Sequence, residues 1–123
     1  MAFYVEEDCI SITRGDDAVL DVSIFDMSGN PYEMNEGDTI TLTVKEAPAD
    51  KYDVIFSVTS DNNRIVFRHE DTADVQVGRY SADIQLMTAD GKRNTIWPER
   101  QGNERYSTSN YKNFIIMPEV TQI

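Results

Sequence analysis

The stretch Val77-Gly78-Arg79-Tyr80-Ser81-Ala82-Asp83-Ile84-Gln85-Leu86-Met87 decides the fold. Tyr80, Ala82, Ile84 and Leu86 fall on one side of an extended chain, and Ser81, Asp83, Gln85 and Met87 on the other. A period of two marks a strand with one buried face. The segment before it is short and polar, as at a corner, and Gly78 stands two residues ahead of Tyr80. In Greek-key sandwiches a tyrosine so placed often turns back to hydrogen-bond the preceding corner. Gly78 and Tyr80 are therefore the candidate structural corner. The alternative is a buried tyrosine on an ordinary strand. Either way, the stretch is expected to be the central strand of a small β-sandwich.

Its neighbours carry the same period. Thr39-Ile40-Thr41-Leu42-Thr43-Val44-Lys45 alternates most cleanly, with Ile40, Leu42 and Val44 inward. Threonine suits the outer face because its branched Cβ fits the pleat. Residues 9–13 read as an edge strand and 19–25 as a strand with Leu20, Val22 and Ile24 inward. Residues 54–59 and 64–68 flank Asp61-Asn62-Asn63 and are predicted to pair as a hairpin. Residues 69–76 have room for one helical turn, capped by Asp71 or Thr72. Asp90-Gly91 is a strong hairpin signal and returns the chain as a strand over 93–97. Residues 98–112 hold no apolar side chain except Tyr106 and Tyr111. Such a long polar stretch is a contact arm or a surface loop. Phe114-Ile115-Ile116-Met117 is the last strand. The sum is an all-β, immunoglobulin-like sandwich of about seven to eight antiparallel strands, one domain over residues 1–123.

Composition narrows the function classes. The chain has 22 acidic and 11 basic residues, a formal charge of −11. Such a surface repels phosphate backbones and anionic lipid, so neither nucleic acid nor membrane is an expected partner. One cysteine, Cys9, excludes an internal disulfide. The N-terminus lacks the basic and apolar regions of a secretory signal. The protein is expected to be made in the cytoplasm and to stay there, or to leave by lysis or as part of a larger particle.

The order of these signals resembles a known family. Thr13-Arg14-Gly15-Asp16 leads into an alternating strand. Phe25-Asp26 and Gly29-Asn30-Pro31-Tyr32 form a turn. Gly37-Asp38-Thr39 opens the threonine strand, and Gly78-Arg79-Tyr80 precedes the Asp90-Gly91 hairpin. From Cys9 to Val120 this is similar to the N-terminal immunoglobulin-like domain of baseplate upper proteins in tailed phages and prophages of Gram-positive bacteria. The family's proteins usually continue into further domains, and residues 98–112 are longer than its pattern. The resemblance implies a non-catalytic structural and assembly role in the virion tail. Its partners would be other phage tail or baseplate proteins, with self-association left open, and it implies no cofactor. The alternative is a carbohydrate-binding module on a phage tail or bacterial surface, using Trp97, Tyr106 and Tyr111 as partner or glycan contacts.

Other motifs have plainer explanations. Arg14-Gly15-Asp16 matches an integrin tripeptide but reads as a turn between strands. Cys9 and His69 are the only thiol and imidazole, and no third group is evident to orient a base. Cys9 is expected to be a small buried hydrophobe. Asp50 with Asp53, Asp61 with Asn62 and Asn63, and Glu70 with Asp71 and Asp74 are acidic turns. None has the spacing of a Ca²⁺ loop. Trp97 alternates with Thr95, which places it in the core. No catalytic set converges in the sequence, so no enzyme activity is expected.

Overall fold

The computed structural model describes residues 3–5, 9–46, 53–98 and 112–119. Along the chain run β1 (Phe3–Val5), β2 (Ile10–Thr13), β3 (Ala18–Asp21), β4 (Ile24–Asp26) and β5 (Pro31–Tyr32). Next come β6 (Thr39–Lys45), β7 (Val54–Ser60), β8 (Arg64–Phe67) and one helical turn, α1 (His69–Thr72). β9 (Gly78–Met87), β10 (Arg93–Trp97) and β11 (Phe114–Met117) complete the described chain.

The fold is all-β, and β9 is its axis. β6 pairs with it antiparallel without interruption, from Thr39 opposite Met87 to Lys45 opposite Ser81. The inward residues Tyr80, Ala82, Ile84 and Leu86 meet Ile40, Leu42 and Val44 in the core, all buried. The main sheet runs β2–β11–β9–β6–β7, with β10 also on β9. Two small sheets, β1–β4–β5 and β3–β8, add Val5, Ile24, Ile65 and Phe67 to the same hydrophobic cluster. The Phe114 ring of the main sheet lies 5.9 Å from Phe56 and 6.2 Å from Phe67 of β8. Aromatic contacts at such distances join the two layers.

Several details differ from the sequence expectation. Eleven strands form among the described residues, because β1 and β5 are additional and the expected strand over 19–25 is two. At Val22 the chain leaves β8, and its amide donates to the Asn63 carbonyl at 2.7 Å. β3 therefore pairs with β8 and β4 with β1 and β5. Not all pairing is antiparallel, since β11 runs parallel to β2. β7 and β8 do not pair as a hairpin: β7 pairs with β6, and β8 with β3. A tight type I′ turn needs positive φ at both central residues, and no non-glycine residue here has positive φ. Instead Ser60 Oγ donates to the Arg64 carbonyl at 2.6 Å and the chain turns into the other layer. The Asp90-Gly91 hairpin does form, with Gly91 at φ +87°.

The cap of α1 also differs. Asp71 is in the helical turn and accepts backward from the Arg68 amide at 2.8 Å, while Thr72 is buried and accepts from the Gly15 amide. Cys9 is exposed rather than buried. Ile10 and Ile12 take the inward positions of β2, so the period of two turns the residue before Ile10 outward.

Candidate functional site

The two edges of β9 are built differently. On the edge away from β6, β11 pairs with Gly78, Arg79 and Tyr80. β10 pairs with Ile84 through Met87. Both run antiparallel to β9, so they are two halves of one strand, interrupted between Trp97 and Asn113. The interruption leaves Ala82 without a backbone partner on that side. Asn113 fills the gap with its side chain: the Ala82 amide donates to Asn113 Oδ1 at 2.7 Å, and Asn113 Nδ2 donates to the Ala82 carbonyl at 2.9 Å. A primary amide carries the same donor and acceptor as a peptide group, so it can substitute for one rung of the ladder. The backbone of Asn113 is committed as well. Its amide donates to the Tyr80 carbonyl and its carbonyl accepts from the Ile10 amide, both at 3.0 Å. With 1% of its surface exposed, Asn113 ties β2, β9 and β11 together. Residues 98–112 thus leave from one half of a sheet edge and return to the other.

The corner before β9 lies beside this junction. The Tyr80 hydroxyl donates to the Gln76 carbonyl, four residues upstream. Burial, and then the nearby Glu46 carboxylate, hold the Tyr80 phenol above its ordinary pKa. Gly78 opens β9 with φ +157°, a backbone conformation that residues with a side chain rarely adopt, although no atom lies within 4 Å of where a Cβ would sit. A groove of about 720 Å³ borders the corner. Glu46, Glu70, Asp71 and Asp74 supply its carboxylates, and Ile55 and Val77 part of its apolar wall. Lys112 lines it too and donates from Nζ to the Glu46 carbonyl, fixing the returning end of the segment.

A second clasp holds the opposite end of the sheet. Asp38, almost fully buried, accepts from the Tyr32 hydroxyl at 2.5 Å, the Asn35 amide at 2.9 Å and the Ala89 amide at 3.0 Å. The Tyr32 bond first, then the two amides, holds its carboxyl below the usual range. The same bond, with burial, raises the Tyr32 phenol. Gly37 is required here, because its φ is +91° and a Cβ would come within 2.9 Å of the Ala89 Cβ. Asn63 does similar work between layers. Its Oδ1 accepts from the Met34 amide, and its Nδ2 donates to the Val22 and Tyr32 carbonyls.

The other residues singled out by sequence scatter over the fold. Trp97 is fully buried. A bulge between Thr95 and Trp97 shifts the register, which lets Ile96 and Trp97 both enter the core. Trp97 therefore offers no face to a glycan. Tyr106 and Tyr111 lie outside the described residues, as does Asp50. In Arg14-Gly15-Asp16, the Gly15 amide is bound to Thr72, and Arg14 Nε lies 3.4 Å from Glu119. His69 faces Asp17 and Glu70, each at 3.4 Å, while its amide bond to Asp17 lowers that carboxyl. Among the described residues no group of three His, Cys, Asp or Glu could hold a metal ion. No helix among them is long and apolar enough to cross a membrane.

Asn113 and Asn63 were missed by sequence reasoning. Asn113 stands directly before the last apolar run, where an unpaired polar residue reads as loop. Its only sequence signal is that position at the end of a long insertion.

Compared with known proteins, the chain matches no family model and no curated protein.

Proposed function

We propose that this chain is a non-catalytic assembly domain of a phage or prophage tail baseplate, of the immunoglobulin-like kind, contacting other virion proteins through residues 98–112. The observation that carries the reading is the broken edge of β9. Strand-to-strand connections are usually as short as the turn permits. Here the sheet gives up a rung of its central ladder, and Asn113 replaces it. Segments launched from a rigid frame are where binding residues concentrate. The order of turns and strands from Thr13 to Asp90 supports placing the frame in a tail. The side-chain clasps of Asp38, Asn63 and Tyr80 serve the frame by pinning loops to strands.

The experiment is incorporation. In the host carrying this sequence, purified tailed particles contain the chain, and antibody against it decorates the tail tip. A variant with 99–111 replaced by a short Gly-Ser linker folds but is absent from particles. Particles lacking the intact chain, or taking up both forms equally, would overturn the reading.

A further inference from the structure

The path β2–β11–β9–β6–β7 through the main sheet ends in two outer strands, and they are unlike. β2 is four residues long and runs directly into Arg14. β7 is seven residues, Val-Ile-Phe-Ser-Val-Thr-Ser, with no charge, proline or glycine, in a chain that is 27% charged. Among the described residues only β6 pairs with β7. Natural sheets blunt exposed edges with short strands, lysine, proline or bulges. β7 carries only one such device. Its register slips where Val44 and Lys45 face Phe56 and Val54, which makes Ile55 the extra residue of a bulge. Beyond the bulge, Phe56 to Ser60 pair regularly with Val44 to Ile40. Phe56 and Val58 are only half buried, though both pack against the core. Val54 and Ile55 are 51% and 38% exposed.

We propose that β7 is a docking edge which takes an added strand from a partner protein, pairing along Phe56 to Ser60, with basic residues flanking a neutral centre. The proposal rests on the reading of the chain as an assembly domain and names the partner's chemistry. The charges around the edge choose the occupant. Exposed Asp53 and Asp61 bracket β7. The bulged Ile55 faces the groove, where the carboxylates of Glu46, Glu70, Asp71 and Asp74 outnumber the cations of Arg79 and Lys112. A second copy pairing antiparallel about Val58 would set its Asp61 against Ile55 and those carboxylates. Like charges so placed oppose association, and each copy carries −11 overall. A strand with lysine or arginine at its ends meets acid at both. Backbone hydrogen bonds supply the affinity in this mode of recognition, and alternate side chains supply the specificity.

The test uses the full chain and the peptide acetyl-Lys-Lys-Thr-Val-Thr-Val-Thr-Lys-Lys-amide, with a twin carrying Glu for every Lys. Amide exchange and chemical shifts are followed residue by residue. At about 1 mM basic peptide, outward amides within 56–60 slow by about tenfold, and added salt reverses the effect. Glu70→Gln with Asp74→Asn weakens binding by about threefold without moving Tm. The proposal is overturned by equal binding of the acidic twin, by shifts confined to the groove, or by no change over 56–60. Particle incorporation is read separately, so an inert β7 edge and a chain absent from tails are distinguishable failures.

Discussion

The two edges of β9 solve one problem in two ways. Towards β6 the ladder is continuous backbone, seven residues facing seven. Towards β10 and β11 it is two short ladders joined by one side chain. The continuous edge needs only a pattern: any sequence alternating apolar and branched polar residues would serve. The interrupted edge needs a particular residue at a particular place. Stability on one side is spread over many contacts and on the other concentrated in Asn113.

The largest test breaks the interrupted edge. Asn113→Leu keeps the branch at Cγ but leaves the Ala82 amide and carbonyl buried without partners. At ~1–3 kcal/mol for each orphaned group, the loss is about 4 kcal/mol by urea denaturation. Leu42→Ala strikes the continuous edge through packing alone and costs about 3 kcal/mol, with the rungs around it intact. Tyr80→Phe removes the bond to the Gln76 carbonyl and keeps the ring. It should lower stability by about 1 kcal/mol.

The Asp38 clasp, unlike Asn113, is a polar pin that titrates. Its folded pKa is depressed, so its contribution is present above the unfolded value near pH ~4. It is lost as pH falls through the lower folded value. The Tyr32 phenol is raised, so its contribution is present below about pH 10 and lost as pH rises through the folded value. Tm against pH should fall at both ends, with Tyr80 adding to the alkaline limb. Tyr32→Phe should flatten part of that limb and make the acid limb shallower. The smallest effect belongs to Thr43→Ala on the outer face of β6, within about 0.5 kcal/mol of the parent.

This contrast also explains what the sequence disclosed. The inward sets of β6 and β9 were legible because burial repeats every second residue. Asp90-Gly91 was legible because few residues adopt its turn. The inward positions of 19–25 were legible too, but the change of sheet at Val22 was not, because it depends on Asn63, 41 residues away. Asn113 was silent for the same reason: its partner Ala82 is 31 residues distant. Polar side chains that replace backbone leave no period. The position of Trp97 in the core was readable from alternation with Thr95, though not the bulge that admits Ile96 beside it.

Asn113 should make the interrupted edge as firm as the continuous one. Native-state hydrogen exchange of the Ala82 amide tests it directly. The Ala82 amide is expected to exchange only on global unfolding, as slowly as the slowest amides between β6 and β9, and to exchange fast in Asn113→Ala. Rapid exchange of Ala82 in the parent protein, with the β6 ladder still protected, would contradict it.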